Sequence, residues 1–219
     1  MLETHEIETA PNPRTTIIVL HGLGADGHDF VPICGELDLR ALGAVRYVFP
    51  NAPERPVTIN GGYVMRAWYD ILGADLVRRE DEAGLRESQA AIATLVDRER
   101  QRGVAAERIV LMGFSQGCAM ALMTALRYPD RLAGAVGLSG YLPLAATTAA
   151  ERSAANAGLP IFMAHGTQDP VVVPARGTAS RDALRALGHD VAWHDYPMQH
   201  SVCMEEIEDL NAWLLKNLS

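Results

Sequence analysis

Short, uniformly apolar runs alternate along the chain with longer segments whose apolar residues recur at helical spacing. Residues 15–20 (TTIIVL), 45–49 (VRYVF), 108–112 (RIVLM), 135–138 (AVGL), 161–164 (IFMA) and 191–196 (VAWHDY) have the length and branched or aromatic content of strands. Four of them are apolar nearly throughout, the pattern of parallel strands covered on both faces. Between them, residues 80–102, 116–127, 175–187 and 204–218 suit helices. The first opens on Glu80, Asp81 and Glu82, favourable at the positive end of a helix dipole, and stops at Gly103. It places Leu85, Ile92, Leu95 and Val96 on one side. Residues 50–62 (PNAPERPVTINGG) read as a turn-rich loop. Strand–helix alternation of this kind predicts an α/β fold, a mostly parallel central sheet with helices on both faces.

Composition changes this picture little but narrows what the molecule can do. A chain of 219 residues that is 48% hydrophobic and 21% charged is expected to form one domain, residues 1–219, with 1–13 as a polar N-terminal tail. Its net charge of −8 and lack of a basic cluster argue against nucleic acid and against stable attachment to an anionic membrane. Cys34, Cys118 and Cys203 are odd in number and unsuited by spacing to a zinc or redox motif. The acidic start, with Glu3, Glu6 and Glu8, does not resemble a signal peptide, so a cytoplasmic location is expected.

Chemistry concentrates at Gly113-Phe114-Ser115-Gln116-Gly117. A G-x-S-x-G pattern alone is weak, but here it follows an apolar strand directly and opens a helix, the setting of a nucleophile elbow. The serine must sit on a strained turn to project its hydroxyl, and the flanking glycines let strand and helix cross without side-chain collision.

A serine hydroxyl needs a base to take its proton and a third group to orient that base. In this fold the order is Ser, then Asp or Glu, then His. Asp169 lies in the loop His165-Gly166-Thr167-Gln168-Asp169-Pro170, at the carboxyl end of a predicted strand, where catalytic residues of open α/β sheets gather. Asp182, Asp190 and Asp195 fall in or beside predicted elements and read as surface carboxylates. Of seven histidines, His200 lies between the last strand and the closing helix, where a base can reach over the nucleophile. His5 lies in the tail, His28 and His189 read as helical or exposed, His194 sits within a strand, and His165 reads as a structural residue near Asp169. The oxyanion requires N–H donors: Gln116, directly after the nucleophile, is one. Leu23, in the glycine-rich turn His21-Gly22-Leu23-Gly24 after an early strand, is the other.

With these residues in place the sequence resembles the phospholipase/carboxylesterase family of small carboxylesterases and acyl-protein thioesterases, within the α/β-hydrolases. The resemblance runs from about residue 15 to 218, through HGLGADGHDF (21–30), PNAPERPVTINGG (50–62), MRAWYDI (65–71), GFSQG (113–117), HGTQDPVVVP (165–174) and YPMQHSVCMEEI (196–207). It implies a triad of Ser115, Asp169 and His200, oxyanion donors at Leu23 and Gln116, and an acyl groove around Leu72 and Leu76, joined by Tyr141 and Val172. It also implies no cofactor or metal, an ester or thioester as the small-molecule substrate, and a possible homodimer; no separate lid domain is expected, because a core with six strands fills most of the 219 residues. The MRAWYDI and YPMQHSVCMEEI wording resembles bacterial esterases more than animal thioesterases. Trp68, Tyr69 and Asp70 mark the family, with packing of the active-site loop as their default role. The expected activity is that of a serine carboxylesterase for short- to medium-chain esters, extending to thioesters or lysophospholipids. The rivals are a dienelactone-hydrolase-like or lipase-like hydrolase and, from a different class, a non-catalytic binding protein on the hydrolase fold. Ser115, where dienelactone hydrolases carry cysteine, and a complete Ser, Asp and His set weigh against them.

Overall fold

The fold is that of a computed structural model, which describes residues 2–73 and 79–218. The strands are β1 (Thr4–Glu8), β2 (Thr15–Leu20), β3 (Val45–Pro50), β4 (Glu54–Val57), β5 (Tyr63–Arg66), β6 (Ile109–Phe114), β7 (Gly134–Leu138), β8 (Ile161–Gly166) and β9 (Val191–Tyr196). The helices are α1 (Ile33–Glu36), α2 (Glu82–Gln101), α3 (Gln116–Arg127), α4 (Ala145–Glu151), α5 (Pro174–Ala186) and α6 (Met204–Leu218). Seven strands form the central sheet in the order β1-β3-β2-β6-β7-β8-β9. All neighbours in it run parallel except β1 against β3. The α/β-hydrolase architecture expected from the sequence is the one observed.

Alternation along each strand divides the core between the two faces of the sheet. Ile18 and Leu20 of β2, with Ile109 and Leu111 of β6, pack toward α2 and α3. Their neighbours Ile17, Val19, Val110 and Met112 pack toward α1 and α6. Because both faces are covered, β2 is buried at every position, which explains its uninterrupted apolar run. The Asp81 side chain caps α2 by accepting the Gly84 N–H at 3.0 Å, so this helix starts two residues later than the acidic cluster suggests.

Two segments differ from expectation. The supposed polar tail contains β1, which pairs with β3 from Thr4 opposite Pro50 to Glu8 opposite Arg46. Its sequence THEIE offers one apolar residue, Ile7, because an edge strand packs against so little. The supposed loop at 50–62 holds β4, which pairs with β5 in a separate two-stranded sheet. Its Pro56 is tolerated at a sheet edge, Tyr63 and Val64 of β5 are exposed, and Val57 is the one fully buried residue of the pair, too little to mark either strand by an apolar pattern.

Candidate active site

The candidate nucleophile stands where β6 hands over to α3. Ser115 has φ +56° and ψ −115°, a conformation L residues rarely adopt, and its N–H is held by the Leu138 carbonyl at 2.9 Å. A Cβ at Gly113 would overlap the Gly117 carbonyl, and one at Gly117 would overlap the Leu20 carbonyl. Both glycines are therefore required by the close crossing of strand and helix. The strand runs through Phe114 rather than stopping at Met112, so β6 carries the backbone up to the serine itself.

Asp169 and His200 come from different loops and meet. The His200 Nδ1–H donates to Asp169 Oδ2 at 2.7 Å, which leaves Nε2 as the ring's accepting nitrogen. The Asp169 side chain is fully buried, and that of His200 is 16% exposed. Oδ1 of the aspartate accepts the N–H groups of Val171 at 2.8 Å and Val172 at 2.9 Å. With both oxygens engaged, its orientation is fixed from two sides. The His200 ring packs on Phe114, the residue that precedes Ser115, with centroids 4.7 Å apart. A side chain at Gly166 would strike the Met198 and Gln199 carbonyls, so this glycine lets the His200 loop close over β8.

The competing groups are occupied elsewhere. His194 pairs with Asp209 at 3.1 Å and stacks on Phe162. His165 lies 3.4 Å from Asp169 and donates to the Val172 carbonyl at 2.7 Å, supporting the aspartate loop as expected. Asp182 binds its neighbour Arg181. His189 differs from expectation: it is buried, with Nδ1 3.2 Å from the Leu159 carbonyl, and burial lowers its pKa.

The candidate oxyanion donors flank this site. Gln116 opens α3, and Leu23 lies in the turn after β2. Among the described residues, no acceptor takes the backbone N–H of either. Of the expected groove residues, Tyr141 and Val172 are buried and Leu72 is half-buried, while Leu76 lies outside the described residues. The Tyr141 hydroxyl is 2.9 Å from that of Tyr69, and burial raises its pKa to about 12, so it stays protonated. Gly140 packs against the Ser115 carbonyl, which sets the start of the Tyr141 segment beside the elbow. Cys118, one turn into α3, is buried, and burial pushes its pKa upward, so its thiol is a poor nucleophile there. Among the described residues no cluster of three or more His, Cys, Asp or Glu side chains could hold a metal ion, and no helix is long and apolar enough to cross a membrane.

Sequence reasoning missed the Val171 and Val172 amides, since backbone donors have no residue signature. It also gave Trp68 and Tyr69 only a default packing role in the active-site loop, whereas both make hydrogen bonds among the loops of the site.

A parallel sheet with a glycine-flanked serine at its central strand-to-helix turn defines the molecule as a hydrolase of the α/β type. The phospholipase/carboxylesterase family model matches residues 3–218. Acyl-protein thioesterase 1 of Gibberella zeae is 41% identical over 218 residues, covering 95% of this chain and 93% of the fungal protein. Its counterpart in Neurospora crassa is 42% identical over 212 residues, covering 93% of this chain and 86% of that one. The crystal structure of Zea mays acyl-protein thioesterase 2 superposes with a TM-score of 0.85 at 32% identity, covering 100% of both chains. The chain belongs to the phospholipase/carboxylesterase family and is an ester- or thioester-hydrolysing serine hydrolase. The bacterial flavour read from two motifs is not borne out, since these sequence relatives at about 40% identity are fungal.

Proposed function

We propose that this chain is a serine carboxylesterase and thioesterase for short to medium acyl chains, working through an acyl-enzyme on Ser115. His200 takes the serine proton at Nε2 as the hydroxyl oxygen attacks the acyl carbon. The same proton then goes to the departing alkoxide or thiolate, leaving the acyl group on Ser115. In the second half water, deprotonated by His200, attacks the acyl-enzyme, the imidazolium returns that proton to the Ser115 oxygen as its bond to the acyl carbon breaks, and the carboxylic acid is released. Asp169 orients His200 and balances the transient imidazolium charge. The Leu23 and Gln116 amides stabilise the negative oxygen of each tetrahedral intermediate. The observation that carries this reading is the 2.7 Å hydrogen bond from His200 Nδ1 to a buried, doubly anchored Asp169. The naming of the fungal and maize relatives as acyl-protein thioesterases supports including thioesters among the substrates.

Replacing the nucleophile tests the reading directly. Ser115→Ala should lower kcat for an aryl ester by about four to six orders of magnitude and abolish labelling by a fluorophosphonate probe. Covalent labelling that persists in Ser115→Ala would overturn the assignment. Leu72, Tyr141 and Val172 offer apolar contact to the acyl chain, and each buried methylene contributes roughly 0.8 kcal/mol. Across a panel of aryl esters, kcat/KM should therefore rise from acetate, peak among short to medium chains and then fall. A monotonic rise to the longest soluble chain would overturn the proposed preference.

A further inference from the structure

One largely buried hydrogen-bond network joins the two loops that carry the candidate oxyanion donors, and residues 66–69 lie at its centre. On the Leu23 side it holds His21, two residues before Leu23, and Gly24, directly after it. The Trp68 indole N–H donates to the His21 carbonyl at 2.9 Å, and the Gly24 N–H donates to the Arg66 carbonyl at 2.9 Å. On the other side the Gln116 side chain spans two peptide groups. Its Oε1 accepts the Trp68 N–H at 3.0 Å, and its Nε2 donates to the Tyr69 carbonyl at 2.9 Å.

The rest of the network fixes the frame. The Ala52 N–H donates to His21 Nε2 at 3.0 Å, while His21 Nδ1–H donates to the Gly22 carbonyl at 2.7 Å. Both contacts are satisfied only by the neutral ring with its proton on Nδ1, the form that burial favours by lowering the His21 pKa. The Ser88 hydroxyl, from α2, donates to the Trp68 carbonyl. His21, Trp68 and Gln116 are all buried, so the bonds among them exchange little with water and set geometry strongly, while the Gly24–Arg66 bond lies at the exposed end of the network.

We propose that residues 66–69 form a strap that holds the amides of Leu23 and Gln116 in register with one another, with the Trp68 indole and the Gln116 side-chain amide as positioning residues. The proposal rests on the assignment of these two amides as the oxyanion donors. It gives the Gln116 side chain a task separate from that of its own backbone. The N–H faces the oxyanion, while the side-chain amide, pointing away, ties that N–H to the opposite loop through Trp68. Oxyanion stabilisation depends on donor position at the scale of tenths of an ångström, so slack in the strap should appear in the transition state rather than in substrate binding.

Side-chain replacements that leave both donor amides in place test this. Trp68→Phe deletes the indole N–H and keeps most of the apolar volume. Gln116→Met keeps the length and removes both amide contacts. For each variant the concentration of competent sites is set by fluorophosphonate titration, and kcat, KM and the affinity for a trifluoromethyl ketone of matching acyl chain are measured, along with the melting temperature. The ketone forms a tetrahedral adduct on the serine and reports the oxyanion site. The expected result is a fall in kcat per competent site of about tenfold to a hundredfold, below the cost of losing a donor outright. Ketone affinity should fall by the same factor, with KM and the shape of the pH profile unchanged. Wild-type kcat and ketone affinity in either folded variant would overturn the strap, whatever the change in melting temperature. A fall in kcat without a matching loss of ketone affinity would overturn it as well. The underlying triad reading fails separately, through activity or labelling that survives in Ser115→Ala.

Discussion

Asp169 makes three strong hydrogen bonds with two oxygens, and that arrangement determines what a substitution there does. Oδ1 takes the Val171 and Val172 amides, so only Oδ2 faces His200. In Asp169→Asn the side-chain oxygen should stay on the two amides, turning an NH2 donor toward His200 Nδ1. The ring then carries its proton on Nε2, the wrong tautomer for a base. We expect kcat to fall by about three to four orders of magnitude with little change in KM. His200→Ala should approach the effect of Ser115→Ala, whereas His194→Ala, which removes the contact with Asp209 and the stacking on Phe162, should cost at most a modest rate factor. Steady-state kinetics on the three variants decides the point, and an inactive His194→Ala with an active His200→Ala would reverse the choice of base. Ser115, Asp169 and His200 were legible as candidates in the sequence because each belongs to a motif with a fixed place relative to a strand end. The strap was not, because Trp68 and Gln116 act on backbone atoms that any residue could supply.

At the scale of elements, β1 joins the sheet through charge more than through apolar packing. Arg46 on β3 reaches Glu8 of β1 at 2.9 Å and Glu99 of α2 at 2.6 Å. Glu99 is fully buried and also accepts the Thr16 hydroxyl at 3.0 Å and Arg102 at 2.9 Å. Arg98 and Arg102 each reach Glu6 at 2.7 Å. Glu99→Ala would leave Arg46, whose side chain is 8% exposed, with Glu8 as its remaining carboxylate partner. Removing one partner from such a buried group should destabilise the fold by about 3–5 kcal/mol. Urea denaturation measures this, and a loss below about 1 kcal/mol would show that the network is dispensable. Activity per folded molecule should be unchanged. These contacts also explain why the N-terminal strand escaped notice. Polar THEIE looks like a tail until its carboxylates are seen against arginines that come more than thirty residues later in the chain. Five of the six strands read from the sequence, all but the edge strand β9, carry their burial in their own composition, and the bounds of all six agree with the structure to within about two residues.

For the molecule as a whole, buried titratable groups away from the candidate triad set opposing slopes of stability with pH. His21 and His189 have their pKa values lowered by burial from 6.5. Below that value the unfolded chain binds protons that the folded one refuses, so their contribution grows as pH rises and is complete near 6.5. Glu206, in the first turn of α6, acts in the other direction. Among the described residues neither oxygen of its buried carboxyl has a hydrogen-bond partner, and the nearby Cys203 N–H favours the charged form too weakly to offset burial. Cys203, Glu205, Tyr196 and Asp209 surround this helix start, and none brings a positive charge. Burial therefore pushes the Glu206 pKa from 4.5 up to about 8. Between those values the folded state keeps a proton that the unfolded state releases, so stability declines as pH rises and levels off above about 8. From pH 6.5 to 8 the histidine contribution is complete and the Glu206 slope remains, at about 1.4 kcal/mol per pH unit or roughly 2 kcal/mol in all. Glu206→Gln has no proton to lose and should flatten this limb, being no more stable than the parent near pH 5 and more stable at pH 8. Urea unfolding of both proteins at pH 5, 6.5 and 8 tests the assignment, and equal pH dependence in the two would show that Glu206 ionises normally despite its burial.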